Sequence, residues 1–212
     1  MLKVNEIFYS IQGESTKAGL LCVFIRLTGC NIRCDYCDTE YAFYDGENLK
    51  IEEVIKKVKS YNCKLVELTG GEPLLQKESF DLIKSLSDEG FEVLIETNGS
   101  VDISGVDKRA KIIMDLKGPS SKMTDKNLLE NINFLKKEDE VKFVIADRED
   151  FDWSKKLIKD YELNKKAIIL FSPSYGNIKN EKLVEWILED NLDVRFQIQM
   201  HKYIWDPEKR GV

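Results

Sequence analysis

Three of the five cysteines fall within eight residues, as Cys30-x3-Cys34-x2-Cys37. A short loop with that spacing can fold three thiolates around one centre. A structural zinc site takes four ligands, usually as two pairs. Here the fourth would have to be Cys22, Cys63 or His201, the single histidine, and none has paired spacing. Iron–sulfur clusters normally use four cysteines, so a three-cysteine loop fits a cubane with one iron open to another ligand. That reading is preferred over zinc, and both over unligated thiols. Cys22 and Cys63 stand apart in apolar, strand-like surroundings and read as buried core thiols.

The elements that must carry this loop alternate along the chain. Apolar runs predict strands over Leu20–Leu27, Lys64–Leu68, Glu92–Glu96, Lys111–Asp115, Glu140–Ile145, Lys166–Phe171 and Val194–Gln199. Apolar residues three and four apart predict helices over Ile51–Tyr61, Ser79–Glu89, Asp125–Lys137, Asp152–Tyr161 and Glu181–Glu189. Strand–helix alternation implies an α/β fold with a mostly parallel, curved sheet joined by right-handed crossovers. About six such units fit, a partial (β/α) barrel, since a complete eight-unit barrel usually needs ~250 residues. Chemistry in such folds gathers at the C-terminal ends of the strands. That rule selects Thr28-Gly29-Cys30, Thr69-Gly70-Gly71-Glu72-Pro73, Glu96-Thr97-Asn98-Gly99, Asp115-Leu116-Lys117 and Ser172-Pro173-Ser174 as one shared site.

Composition limits the setting. The 212 residues are expected to form a single domain over 1–212. A net charge of -6 argues against a general nucleic-acid or membrane-surface binder. The opening MLKVNEIFYSIQGES lacks a long apolar core with a cleavage site, and no stretch approaches the ~18 apolar residues of a spanning helix. A cytoplasmic protein is expected, where clustered thiols suggest metal chemistry rather than disulfides.

The cysteine spacing resembles the C-x3-C-x2-C signature of the radical S-adenosylmethionine (SAM) superfamily, in which the open iron of a [4Fe-4S] cluster binds SAM. Tyr36 stands before the last cysteine, as is common there. Thr69–Pro73 resembles the GGEP motif that holds the methionine amino group, and Glu96–Gly99 the ETNG strand end near the ribose. The opening Glu6-Ile7-Phe8-Tyr9-Ser10-Ile11-Gln12-Gly13-Glu14 narrows the resemblance to the 7-carboxy-7-deazaguanine synthases. So do Phe24-x-Arg26-Leu27-x-Gly29-Cys30-Asn31, Cys37-Asp38-Thr39, Lys117-x-Pro119-Ser120-Ser121-Lys122 and Gln199-x-His201-Lys202.

That resemblance implies SAM-dependent ring contraction of 6-carboxytetrahydropterin, with loss of ammonia, on the route to the tRNA bases queuosine and archaeosine. It implies that Cys30, Cys34 and Cys37 ligate the cluster, and that Tyr36, Cys37, Asp38, Gly71, Glu96, Asp115 and Lys117 surround SAM. Ile11, Gln12, Gly13, Arg26 and Thr69 would contact the pterin. A guanidinium fork at Arg26 suits the substrate carboxylate, and the Gln12 amide a pterin edge. The Thr39 hydroxyl is a hard oxygen suited to Mg²⁺, and relatives place magnesium at this threonine. A small reducing protein such as flavodoxin or ferredoxin, and a homodimer, are implied by analogy; His201 reads equally as a site residue or an ordinary histidine.

Two positions depart from the family pattern. Ser15 stands where Q-G-E-G is common, and Asp115-Leu116-Lys117 where relatives often have S-P-K, which weakens the Asp115 assignment more than that of Lys117. The competing readings are a glycyl-radical activating enzyme, which shares the cysteine spacing, and a non-catalytic zinc-stabilised binding module.

Overall fold

The computed structural model describes residues 1–212. Nine strands form one sheet in the order β3-β1-β2-β4-β5-β6-β7-β8-β9. They are β1 (Leu2–Ile11), β2 (Leu21–Leu27), β3 (Glu47–Leu49), β4 (Leu65–Gly70), β5 (Glu92–Thr97), β6 (Lys111–Asp115), β7 (Glu140–Ile145), β8 (Ile168–Pro173) and β9 (Arg195–Phe196). From β2 to β9 the pairing is parallel throughout, apart from the antiparallel edge made by β1 and β3. This is the α/β, mostly parallel partial barrel read from the alternating pattern. No helix is long and apolar enough to cross a membrane.

The five helices are α1 (Ile51–Lys59), α2 (Glu78–Asp88), α3 (Arg148–Asp160), α4 (Asn180–Glu189) and α5 (His201–Ile204). In α1, Val54 and Val58 face inward, with Glu52 and Glu53 in the first turn and lysines in the last, matching the helix dipole. Asp147 caps α3 by accepting from the Asp150 N–H at 2.9 Å, which starts the helix before the expected Asp152.

Each parallel strand divides its residues between two faces. Outward, Val23, Ile25, Val66, Leu68, Val93, Ile95, Ile112, Met114, Val141 and Phe143 join a 32-residue core beneath the helices. Inward, Cys22, Phe24, Leu65, Leu94 and Ile113 make a small apolar floor. Nearer the strand ends, the inward residues become Arg26, Glu67, Thr69, Glu96, Asp115 and Lys142, and these line a cavity.

Four expectations are corrected. Strands β1 and β3 lie outside the predicted set; a register shift between Val4 and Glu6 breaks the period-two pattern of β1. The helix expected over Asp125–Lys137 is instead a series of 3₁₀ turns. Two asparagine side chains compete there with an α-helical ladder. Asn127 exchanges hydrogen bonds with the Lys117 backbone, both 2.9 Å, and buried Asn131 accepts from Ile103 N–H while donating to the Gly99 and Val101 carbonyls. The strand expected over Val194–Gln199 pairs only at Arg195 and Phe196, because Gln199 turns into the site. Cys63 is half-buried in the turn before β4, whereas Cys22 is fully buried as expected.

Candidate active site

A cavity of about 820 Å³ opens at the C-terminal ends of the parallel strands. Every residue given a ligand-binding role above lines it, together with His201: Ile11, Gln12, Gly13, Arg26, Cys30, Cys34, Tyr36, Cys37, Asp38, Thr39, Thr69, Gly71, Glu96, Asp115 and Lys117. The loop after β2 brings the three cysteines to one wall, all free and half-buried. Burial pushes the Cys34 thiol up to about 11, and burial likewise raises Cys37. Such thiols ionise only against a strong positive charge, such as a metal centre supplies. Three thiols on one cavity wall, with no fourth cysteine lining it, are the donor set of a cubane that leaves one iron open.

The glycine loop after β4 is packed onto the cysteine loop. A Cβ at Gly71 would fall on the Gly29 carbonyl and on Cys30 Cβ, so no larger residue fits. The Glu72 N–H donates to Gly29 O at 2.9 Å. The Glu72 carboxylate is fully buried and accepts from Leu74 N (2.9 Å), Thr97 Oγ1 (2.9 Å) and Asn98 N (2.7 Å), tying the ends of β4 and β5 together. Burial nonetheless pushes its carboxyl up to about 7. Across the loop, Tyr36 Oη and Asp115 Oδ1 are buried without any hydrogen-bond partner. Two orphaned polar atoms in one cavity mark a place prepared for a polar ligand.

Charges on the inward face are arranged in pairs. Lys142 Nζ contacts Glu14 (3.0 Å), Glu96 and, at 3.6 Å, Asp115. Burial opposes its charge, but Glu14, then Glu96 and Asp115, hold its ionisation well above the ordinary lysine value. Lys117 Nζ lies 2.9 Å from Asp115 Oδ2. At the rim, Asp38 accepts from Lys202 Nζ (2.8 Å), Gln199 Nε2 (3.1 Å) and Thr39 Oγ1 (2.9 Å). Burial favours its neutral form, yet Lys202 keeps it well below the usual carboxylate range. Arg26 donates through Nε to Glu6 at 2.8 Å, under the rings of Phe8 and Tyr41, and its two Nη groups have no protein partner. His201 packs against Gly13, and burial lowers its basicity.

The Gln12 amide is engaged within the protein. Its Nε2 donates to Glu67, and its Oε1 accepts from the Glu14 N–H at 3.1 Å. Sequence reasoning passed over Glu67, Lys142, Gln199 and Lys202 as site residues; these line the cavity, as do residues 207–212. A signal was present: Glu67 and Lys142 are charges inside strands that are mostly apolar on both faces, where a charge needs a purpose.

Comparison with known proteins agrees with this geometry. The model of the radical SAM superfamily matches residues 24–161. A 7-carboxy-7-deazaguanine synthase of Chlorobaculum tepidum is 44% identical over 214 residues, covering 100% of this chain and 97% of that protein. Another, from Koribacter versatilis, is 39% identical and covers 100% of both. The crystal structure of QueE from Escherichia coli superposes with a TM-score of 0.77 at 22% identity, over 94% of each chain. The chain thus belongs to the radical SAM superfamily and, within it, to the 7-carboxy-7-deazaguanine synthases.

Proposed function

We propose that this enzyme converts 6-carboxy-5,6,7,8-tetrahydropterin to 7-carboxy-7-deazaguanine with release of ammonia, supplying 7-deazapurine bases of tRNA. The full-length match to synthases of that name carries the reading. A cavity with cysteines on one wall and the free Arg26 fork on another supports it.

Cys30, Cys34 and Cys37 would hold a [4Fe-4S] cluster, leaving one iron for SAM. With the cluster and SAM bound, the site would have the radical chemistry that ring contraction requires. The protein supplies position and charge. Tyr36 Oη and Asp115 Oδ1, left without partners, are donor and acceptor for SAM; Asp38, Gly71, Glu96 and Lys117 complete its surroundings. Arg26 presents its free Nη edge to the substrate carboxylate. Ile11, Gly13 and Thr69 border the pterin, with Gln12 held between Glu14 and Glu67. Lys142 offsets the crowded carboxylates beneath both ligands. Residues 207–212 line the cavity, where Arg210 stacks 4.0 Å from the Tyr41 ring, and would limit access of water.

Mg²⁺ at Thr39 belongs to the same proposal, because the hydroxyl faces the cavity and keeps its lone pairs while donating to Asp38. A cytoplasmic homodimer reduced by flavodoxin or ferredoxin completes it. The test is anaerobic reconstitution with SAM and the pterin, followed by mass analysis. SAM-dependent loss of one ammonia is expected, stimulated by Mg²⁺ in the unaltered enzyme and in Thr39→Ser but not in Thr39→Ala. A reconstituted enzyme that binds SAM yet leaves the pterin unchanged would refute the substrate.

A further inference from the structure

We infer that Glu67 reads the amino edge of the pterin, accepting hydrogen bonds from the ring N3–H and the 2-amino group; this rests on the substrate proposed above. Glu67 sits on β4 two residues below Thr69, in register with Phe24 on β2 and Leu94 on β5. It is 3% exposed and lines the cavity. Below it lies only the apolar floor of Cys22, Phe24, Leu65, Leu94 and Ile113. It has no lysine or arginine partner, since the nearby Lys142 pairs with Glu14, Glu96 and Asp115. Its side-chain donor is Gln12, on one oxygen.

The contrast with Glu72 is direct. Both carboxyls are buried, Glu67 within β4 and Glu72 in the loop after it, but Glu72 has three protein donors and Glu67 has one. An ionised carboxylate accommodates about four, and a buried polar group left short of partners costs free energy. Burial, then the charges of Glu96 and Glu14, push Glu67 well above the usual carboxyl range, and two N–H donors from a ligand would favour its ionised form. A ligand edge with two adjacent N–H donors pairs with a carboxylate as arginine does, through two parallel bonds. The 2-amino-4-oxo ring of the pterin has that edge.

Position supports the match. Arg26 is one strand over and two residues nearer the rim, in register with Thr69. Strand rise and spacing place the two backbones about 8 Å apart, with Arg26 nearer the rim and Glu67 nearer the floor. A pterin whose carboxylate meets Arg26 therefore points its amino edge down toward Glu67. Gln12 then serves as a positioning residue, fixing the carboxylate plane from the side.

The test uses two fluorescent, unreactive ligands titrated into enzyme carrying its cluster and SAM: 6-carboxypterin, and 6-carboxylumazine, which has a 2-oxo group in place of the amine. The unaltered enzyme should prefer the pterin by roughly 10- to 100-fold, the range of one charge-assisted hydrogen bond. In Glu67→Gln the amide matches the lumazine edge, so the preference should fall to within about threefold or reverse. In Glu67→Ala it should vanish as well, with SAM affinity unchanged in both variants. Retention of the original preference in both variants overturns the inference. So does a parallel loss of SAM and pterin affinity, which would make Glu67 a structural residue. If the unaltered enzyme binds neither ligand, the pterin reading itself fails, and this inference with it.

Discussion

The two faces of the sheet are built from alternate residues of the same strands, yet they are finished in opposite ways. The outward face buries its core under helices. The inward face has a floor of five apolar residues and, above it, charges. Four of the six buried side-chain atoms without partners, on Tyr36, Asp115, Glu140 and Gln197, belong to the inward side. Folding closes most of the outward face, whereas on the inward face two of these atoms, on Tyr36 and Asp115, line the open cavity and await a ligand. In place of a helix, the inward side is crossed by the polar loop after β1. There Thr16 meets Glu140 and Lys111, and Ser15 meets Gln197.

The largest effect expected from this division separates the cysteines. Cys30→Ala, Cys34→Ala and Cys37→Ala should each abolish SAM cleavage, since the cavity wall holds no spare thiol. Cys22→Ala, in the floor, and Cys63→Ala should keep iron content and turnover. Anaerobic iron and sulfide analysis, with deoxyadenosine measured in parallel, checks both halves. A Cys22 variant without iron beside a Cys34 variant with iron would reverse the assignment.

A second comparison sets Lys142 against Leu68, one buried on each face. Lys142→Met leaves Glu14, Glu96 and Asp115 without their shared cation. Removing one partner of a buried pair costs about 3–5 kcal/mol. Leu68→Ala opens a cavity in the outward core at about 2–5 kcal/mol. Denaturation midpoints should therefore drop similarly, but SAM affinity per folded molecule should weaken only in Lys142→Met. Adding Glu96→Gln should recover part of the lost stability in Lys142→Met and none in Leu68→Ala. Equal SAM binding in the two single variants would mean that the inward charges serve packing alone.

The faces were not equally legible in sequence. The parallel core was readable because strands buried on both faces appear as continuous apolar runs, and motif loops after them marked the rim. The cysteine spacing, Arg26 and the Thr69–Pro73 turn carried the site. Glu67 and Lys142 escaped because their partners, Gln12, Glu14 and Glu96, are distant in sequence and meet only across the sheet. The 3₁₀ stretch after β6 escaped because helical spacing over Asp125–Lys137 cannot reveal that Asn127 and Asn131 bond to other loops. Ser15 was visible as a departure, but its meaning required the backbone.

That residue gives the smallest effect and the finest test of the inward side. Ser15 is buried with φ +62°, in the left-handed region that favours glycine. The strain for an ordinary residue there is roughly 1–2 kcal/mol. Its Oγ accepts from the Lys17 N–H at 3.0 Å and its own N–H donates to Gln197 at 2.8 Å. Ser15→Gly relieves the strain but loses the Oγ bond, worth about 0.5–1.5 kcal/mol, and gives the unfolded chain more freedom, at about 0.5–1 kcal/mol. These terms nearly cancel, so Ser15→Gly should change stability by less than about 1 kcal/mol. Ser15→Ala loses the same bond and keeps the strain, so it should be the less stable of the two by roughly 1 kcal/mol. Urea midpoints of the three proteins decide it. Alanine equal to glycine would show that the positive φ carries no net strain at this turn, and alanine equal to serine that the hydroxyl adds nothing to the covering of the inward face.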